Sequence, residues 1–187
     1  MHKVTRLAIP PDRRDKVLAD TAELHPDIGR RLHFAEVVHA NADIFDAATT
    51  WLDTLLDQTT FLTSRDIAET AVELDALRLA IVDDVANVHP GEAADLLWRF
   101  FTLAETIFNR TSEEGYEISR VFDQACVDCV TLAIRAKTLP NTFAHHIRTA
   151  LAADGYGEFG NLMPSLDAPR PGNSAYVAAV KAHLSPS

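Results

Sequence analysis

The sequence predicts an all-α fold: antiparallel helical hairpins, about eight or nine helices in all, packed as a bundle or a short α-solenoid of the tetratricopeptide or HEAT kind. Three observations carry that expectation. Apolar residues recur at steps of three and four along nearly the whole chain, which is the helical period. No stretch alternates apolar and polar residues for long enough to build a sheet. The breaks between periodic stretches are short, which turns successive helices antiparallel. With 187 residues, 47% of them apolar, the chain is long enough for one domain with a real core, and a single helical domain is expected over 1–187. Residues 1–11 are expected to be a flexible start.

The elements follow in order. Residues 12–24 and 27–40 read as two helices divided at His25-Pro26, where proline suits the first turn of the second. Ile44, Phe45, Ala48, Trp51, Leu52, Leu55 and Leu56 make the apolar stripe of a third. Thr63 and Asp66 have the spacing of a capping box, with Asp in place of the usual Glu. From there Ile67, Ala71, Leu74, Leu77, Ile81, Val85 and Val88 keep one helix going. His89-Pro90 opens the most apolar helix, in which Leu96, Leu97, Trp98, Phe100, Phe101, Leu103, Ala104, Ile107 and Phe108 surround the axis. A helix apolar on all sides belongs at the centre of a bundle. Thr111 to Glu114 repeats the capping-box spacing and is expected to start the helix that carries the two cysteines. Asn141 is expected to cap a helix bearing Phe143, Ile147, Ala150 and Leu151, ending at Asp154-Gly155 with glycine in the left-handed cap. Residues 167–174, with Pro169, Pro171 and Gly172, read as a loop before a last helix over 174–184.

Charge narrows the class of function. The net charge is −10, but residues 41–125 alone hold 17 acidic and 5 basic side chains, whereas 1–40 and 126–187 each sum to +1. Nucleic-acid binding needs clustered Lys and Arg, and here Arg13-Arg14 and Arg30-Arg31 are isolated doublets among acids. An acidic middle repels phosphate and attracts a basic protein surface; its plainer reading is a set of solvated helix faces. No apolar run approaches the roughly 18 residues of a membrane span. The start lacks the roughly 7 to 15 apolar residues of a signal peptide, so a cytoplasmic location is expected.

Cys126-x-x-Cys129 lies inside a helical pattern with Ile118, Phe122, Ala125, Leu132 and Ala136. A zinc site needs two further ligands, for which His145 and His146 are the nearby candidates, and a redox motif of the thioredoxin type would follow a strand. Both cysteines therefore read as small core hydrophobes.

Several stretches together carry a resemblance. They are Leu74-Asp75-Ala76-Leu77-Arg78, His89-Pro90, Ala94-Asp95-Leu96-Leu97-Trp98-Arg99-Phe100, Ile107-Phe108-Asn109-Arg110, Ser112-Glu113-Glu114-Gly115 and Asp154-Gly155-Tyr156-Gly157-Glu158-Phe159. Over roughly residues 20–184 the chain resembles a bacterial domain-of-unknown-function family numbered six-eight-eight-zero. The resemblance implies a helical body of stacked hairpins and brings no activity with it. Arg170-Pro171-Gly172 stands where the family usually has a Leu-Gly pair. Many members continue past the position of Ser187, which implies a short form here.

No catalytic constellation emerges. Gly155-x-Gly157 lacks the strand and third glycine of a dinucleotide fingerprint. His145 and His146 are adjacent, so on a helix they diverge by about 100°. Asp83-Asp84 and Glu113-Glu114 are paired carboxylates of a kind acid–base chemistry uses, although solvated helix residues look the same. Asp154 and Tyr156 read as a helix cap with a packed tyrosine or as an exposed recognition loop. The expectation is a non-enzymatic interaction module without cofactor or metal, binding a basic protein partner through Asp83, Asp84, Glu113, Glu114, Asp154 and Tyr156. Self-association as a homodimer competes with that reading. The alternatives are a small acidic inhibitor that mimics nucleic acid in a partner's basic groove, and a metal-dependent enzyme using Cys126, Cys129 and His145 or His146.

Overall fold

The computed structural model describes residues 10–112, 115–170 and 172–185, and these contain helices and connecting turns without a strand. Two compact units are present, Met1–Ala42 and Asp43–Ser187. Of the expected flexible start, residues 1–9 lie outside the described residues.

The first unit is a helical hairpin of α1 (Pro11–Leu24) and α2 (Pro26–His39), which pack on each other. His25 is extended, and Pro10–Pro11 and Pro26 supply the fixed φ of each first turn. The helices come close at Gly29, where a Cβ would lie 3.3 Å from the Ala22 carbonyl oxygen. Asn41 at φ +52° ends α2, with the amides of Asn41 and Ala42 bonded back to Val38 and Val37. Asparagine tolerates this left-handed position better than most residues.

The second unit begins with α3 (Ile44–Leu56), capped by the Asp43 carboxylate accepting from the Asp46 amide at 3.0 Å. Its stripe of Ile44, Ala48, Trp51, Leu52 and Leu55 is buried as the spacing requires. Helix α4 (Ser64–Leu79) starts at the expected capping pair. The Asp66 carboxylate accepts from the Thr63 amide at 2.8 Å and the Thr63 hydroxyl at 2.7 Å, which holds that carboxyl below its ordinary range. The long helix expected from here is continuous but not uniform. Ala80–Val85 is π-helical before a last α turn, α5 (Ala86–Val88). The wider turn keeps Ile81 and Val85 wholly buried while Asp83 stays exposed.

The most apolar stretch is not the single helix expected. It forms α6 (Pro90–Phe100) and α7 (Leu103–Phe108), separated at Phe101-Thr102. There the Thr102 amide and hydroxyl both donate to the Arg99 carbonyl, at 3.0 and 2.7 Å, and the local bonds displace the regular ladder. The cysteine helix also starts later than its capping-box spacing predicts. Helix α8 (Tyr116–Arg135) begins after Gly115, not at Thr111, because Gly115 is pressed against the Phe108 ring. A Cβ there would lie 3.0 Å from that ring, tighter than an ordinary contact, so a side chain would have to push the ring aside.

Helix α9 (Pro140–Ala153) opens on Pro140, which places Asn141 within the first turn instead of at the cap. Its far end is likewise different from expectation. Asp154 is extended, and the glycine in the left-handed region is Gly157 (φ +78°), not Gly155. A short helix that periodicity did not reveal, α10 (Leu162–Asp167), precedes α11 (Ser174–Leu184).

Packing within this unit is that of a bundle. Helix α8 lies against α4, α6 and α10, and α9 pairs with α11, so the main partners are not the successive helices that short connections suggest. The reason lies in α8, whose buried Ile118, Val121, Phe122, Ala125, Cys126, Cys129, Val130, Leu132 and Ala133 cover more than one face. Helices α6 and α8 pack together at the centre, where Leu97, Phe100 and Phe122 are buried. Among the described residues no helix is long and apolar enough to cross a membrane.

Candidate functional site

The aromatic side chains of α6, α9 and the turn after α9 converge on one wall. Trp98, half-buried on α6, has ring centroids 6.0 Å from Phe101, 6.1 Å from Phe143 and 6.3 Å from Phe159, and meets His146 edge-on at 5.6 Å. Phe101 and Phe159 lie 4.6 Å apart. Beside this wall opens a cleft of about 530 Å³, lined also by Glu105 from α7, by His145, His146 and Thr149 from α9, and by Tyr156 and Glu158 from the turn. A recess of about 180 Å³, reached by Asp95, Cys129 and Thr142, shares Trp98 and His146 with it. Size and lining are those of a small-molecule site: mostly apolar walls with a few convergent polar groups.

The turn over 154–160 is held by its own carboxylates. Glu158 Oε2 accepts from the Tyr156 amide at 2.9 Å, and Asp154 Oδ1 accepts from the Phe159 amide at 3.5 Å. The Tyr156 ring stacks on Phe108 at 5.7 Å and its hydroxyl donates to Asn109 Oδ1 at 3.0 Å. Glu158 is buried, and burial pushes its carboxyl above the ordinary range; the amides of Glu158 and Tyr156 pull it down, and the neighbouring Asp154 pushes it up again. The site thus holds acidic groups close together, and neither lysine nor arginine is among the side chains lining the cleft.

The sequence-predicted residues fall in different places. Asp154 and Tyr156 belong to the turn at the cleft, with Tyr156 lining it while stacked on α7. Asp83 and Asp84 lie on the π-helical stretch, Asp83 exposed; burial and then the Asp83 charge raise the Asp84 carboxyl. Glu113 and Glu114 lie outside the described residues. Cys126 and Cys129 are free and buried. The Cys126 thiol reaches the Glu158 carbonyl at 3.5 Å and is pushed up to about 12 by burial; Cys129 is pushed up by burial too. Neither sulfur is available as a thiolate near neutral pH. A thiol reagent applied to the native protein at pH 8 is therefore expected to label both cysteines only as fast as the protein unfolds, and a rapid labelling phase before unfolding would refute that. His145 and His146 sit 6.3 Å apart, ring to ring, at the cleft, and among the described residues no three histidine, cysteine or acidic side chains are placed to hold a metal ion.

Sequence reasoning missed Glu105, Glu158 and the role of Trp98. The tryptophan reads as one more apolar residue on a helix already apolar all round. Glu158 is a single acid beside a glycine turn. The one available signal was the density of Tyr, Glu and Phe directly after a helix end, in Tyr156, Glu158 and Phe159.

Fold and site together define an all-α helical protein with an aromatic, acid-lined cleft in its larger unit. The chain belongs to a family of unknown function, DUF6880, whose model matches residues 9–184. No curated protein and no solved structure matches the chain.

Proposed function

We propose that this protein is a non-enzymatic helical interaction module that presents an acidic surface to a basic partner protein. The observation that carries the reading is how folding sorts the charges of residues 41–125. Of the five basic side chains there, Arg78 and Arg110 are buried and Arg120 is exposed. Arg78 pairs with Asp128 and Asp75, and Arg110 donates from Nε to the Thr60 carbonyl at 2.8 Å. Arg99 is paired with Asp53, and Arg65 stands 4.0 Å from Glu69. Meanwhile Asp83, Glu92, Asp95, Glu105, Glu117 and Asp123 remain exposed. The surface of this region is more acidic than its composition, a field that draws a positively charged partner and fades with salt.

Immobilised protein is expected to retain a basic protein from a cell extract at low ionic strength and to release it at about 1 M salt, where screening acts over about 3 Å. The variant with Asp83, Asp95 and Glu117 changed to lysine is expected to lose it. Retention unaffected by salt and by that charge reversal would refute an acidic docking face. Displacement of the captured protein by duplex DNA would identify the face as a mimic of phosphate.

A further inference from the structure

We propose that the cleft between α6, α9 and the 154–159 turn is a binding site for a small organic cation, an alkylammonium carried on an apolar body. The proposal does not rest on the acidic-surface reading, and the two share only Glu105, which is exposed on that surface and lines the cleft. Three features of the cleft select this ligand class. Its volume of about 530 Å³ lies within the roughly 300–1,000 Å³ of small-molecule sites. Its back wall is a connected set of rings, Trp98, Phe101 and Phe159, whose faces attract a positive charge and whose area takes an apolar body. Its polar rim brings Glu105 and Glu158 from separate elements, with Asp154 beside Glu158 and no lysine or arginine among the lining side chains.

Other ligand classes fit less well. An anion would meet these carboxylates. A hard metal cation needs a cage of oxygens, which aromatic walls do not provide. A neutral apolar molecule would fill the space but leave the carboxylates without a counter-charge.

Proton linkage follows from the surroundings of Glu158. It shares its turn with Asp154 and Tyr156 and faces Cys126 on α8, on which Asp123 also acts. Glu105 from α7 and His145 and His146 from α9 line the same cleft. Burial and Asp154 favour the protonated carboxyl in the empty cleft. A bound cation favours the ionised form, so binding releases a proton and affinity rises as the pH climbs through the carboxyl range.

The test is calorimetric titration of the full chain with phenethylammonium, against neutral 2-phenylethanol and anionic 3-phenylpropionate as isosteric probes. Phenethylammonium is expected to saturate one site at least about tenfold more tightly than 2-phenylethanol, and 3-phenylpropionate is expected not to bind. Glu158→Gln is expected to weaken the cation about tenfold and to flatten the pH dependence. Thr149→Lys, at an exposed position of α9 lining the cleft, is expected to abolish cation binding with the helical circular dichroism unchanged. Should Glu158→Gln fail to fold, the exposed Glu105→Gln takes its place with the same expected weakening. Equal affinity for the ammonium and the alcohol, tighter binding of the carboxylate, no saturation by phenethylammonium, or indifference to Thr149→Lys would each overturn the proposal. Capture that persists unchanged in the Asp83, Asp95 and Glu117 charge-reversal variant, with cation binding intact, would refute the acidic-face reading alone.

Discussion

Asp128→Ala is expected to destabilise the larger unit by about 3–5 kcal/mol, read as a lower urea midpoint with an unchanged slope. Asp128 on α8 and Arg78 on α4 form a buried ion pair across two helices that pack on each other. Arg78 also reaches the half-buried Asp75, with Nε and Nη2 at 2.9 and 2.7 Å from Oδ1. Burial pushes the Asp128 carboxyl up, against the pull of the guanidinium, so the pair stands because each charge has the other. Removing the carboxylate leaves a guanidinium that is 8% exposed with its remaining carboxylate on one side. The control is the double variant Arg78→Met with Asp128→Leu. It removes both charges and keeps the volume, and it is expected to fall within about 1 kcal/mol of the parent or above it. A single substitution costing less than about 1 kcal/mol would place the pair among ordinary surface bridges.

Phe122→Ala is expected to cost about 3–5 kcal/mol, the range for emptying an aromatic core position. Phe122 is 1% exposed, and its ring lies 5.6, 6.0 and 6.4 Å from those of Phe100, Phe101 and Phe108. These three come from α6, the break after it and α7, so the substitution opens a void where that interrupted stretch meets α8. Against a domain stability of about 5–15 kcal/mol the loss is a large fraction. Urea denaturation followed by circular dichroism checks it, and a loss under about 1.5 kcal/mol would mean that the neighbouring rings close the gap.

The elements that periodicity and caps announced are those whose causes lie within a few residues. Pro26, Pro90 and the Thr63–Asp66 pair start helices where their chemistry says they should. The misplaced boundaries have causes at a distance or in competing local bonds. Gly115 ends its turn against Phe108, and Thr102 breaks the apolar helix by bonding to Arg99. Helix α10 is six residues long and contains Pro164, too short to show a period. At the cleft, Tyr156 and Asp154 were visible as an unusual turn, whereas Glu105 resembled any solvated helix acid.

The sequence by itself determined the all-α class, the principal helices, the burial of both cysteines and the acidic excess of the middle region. Each is a property of composition or of spacing over one or two turns, which the backbone period converts directly into a face. The tertiary structure alone decided which faces meet. Trp98, Glu105, His146 and Glu158 are spread over 60 residues of chain, and Arg78 and Asp128 are 50 apart. They come together because the broad apolar face of α8 gathers α4, α6 and α10, while α9, paired with α11, brings His146 against Trp98. Packing free energy, summed over many weak contacts between distant segments, selects that arrangement, and with it the cleft.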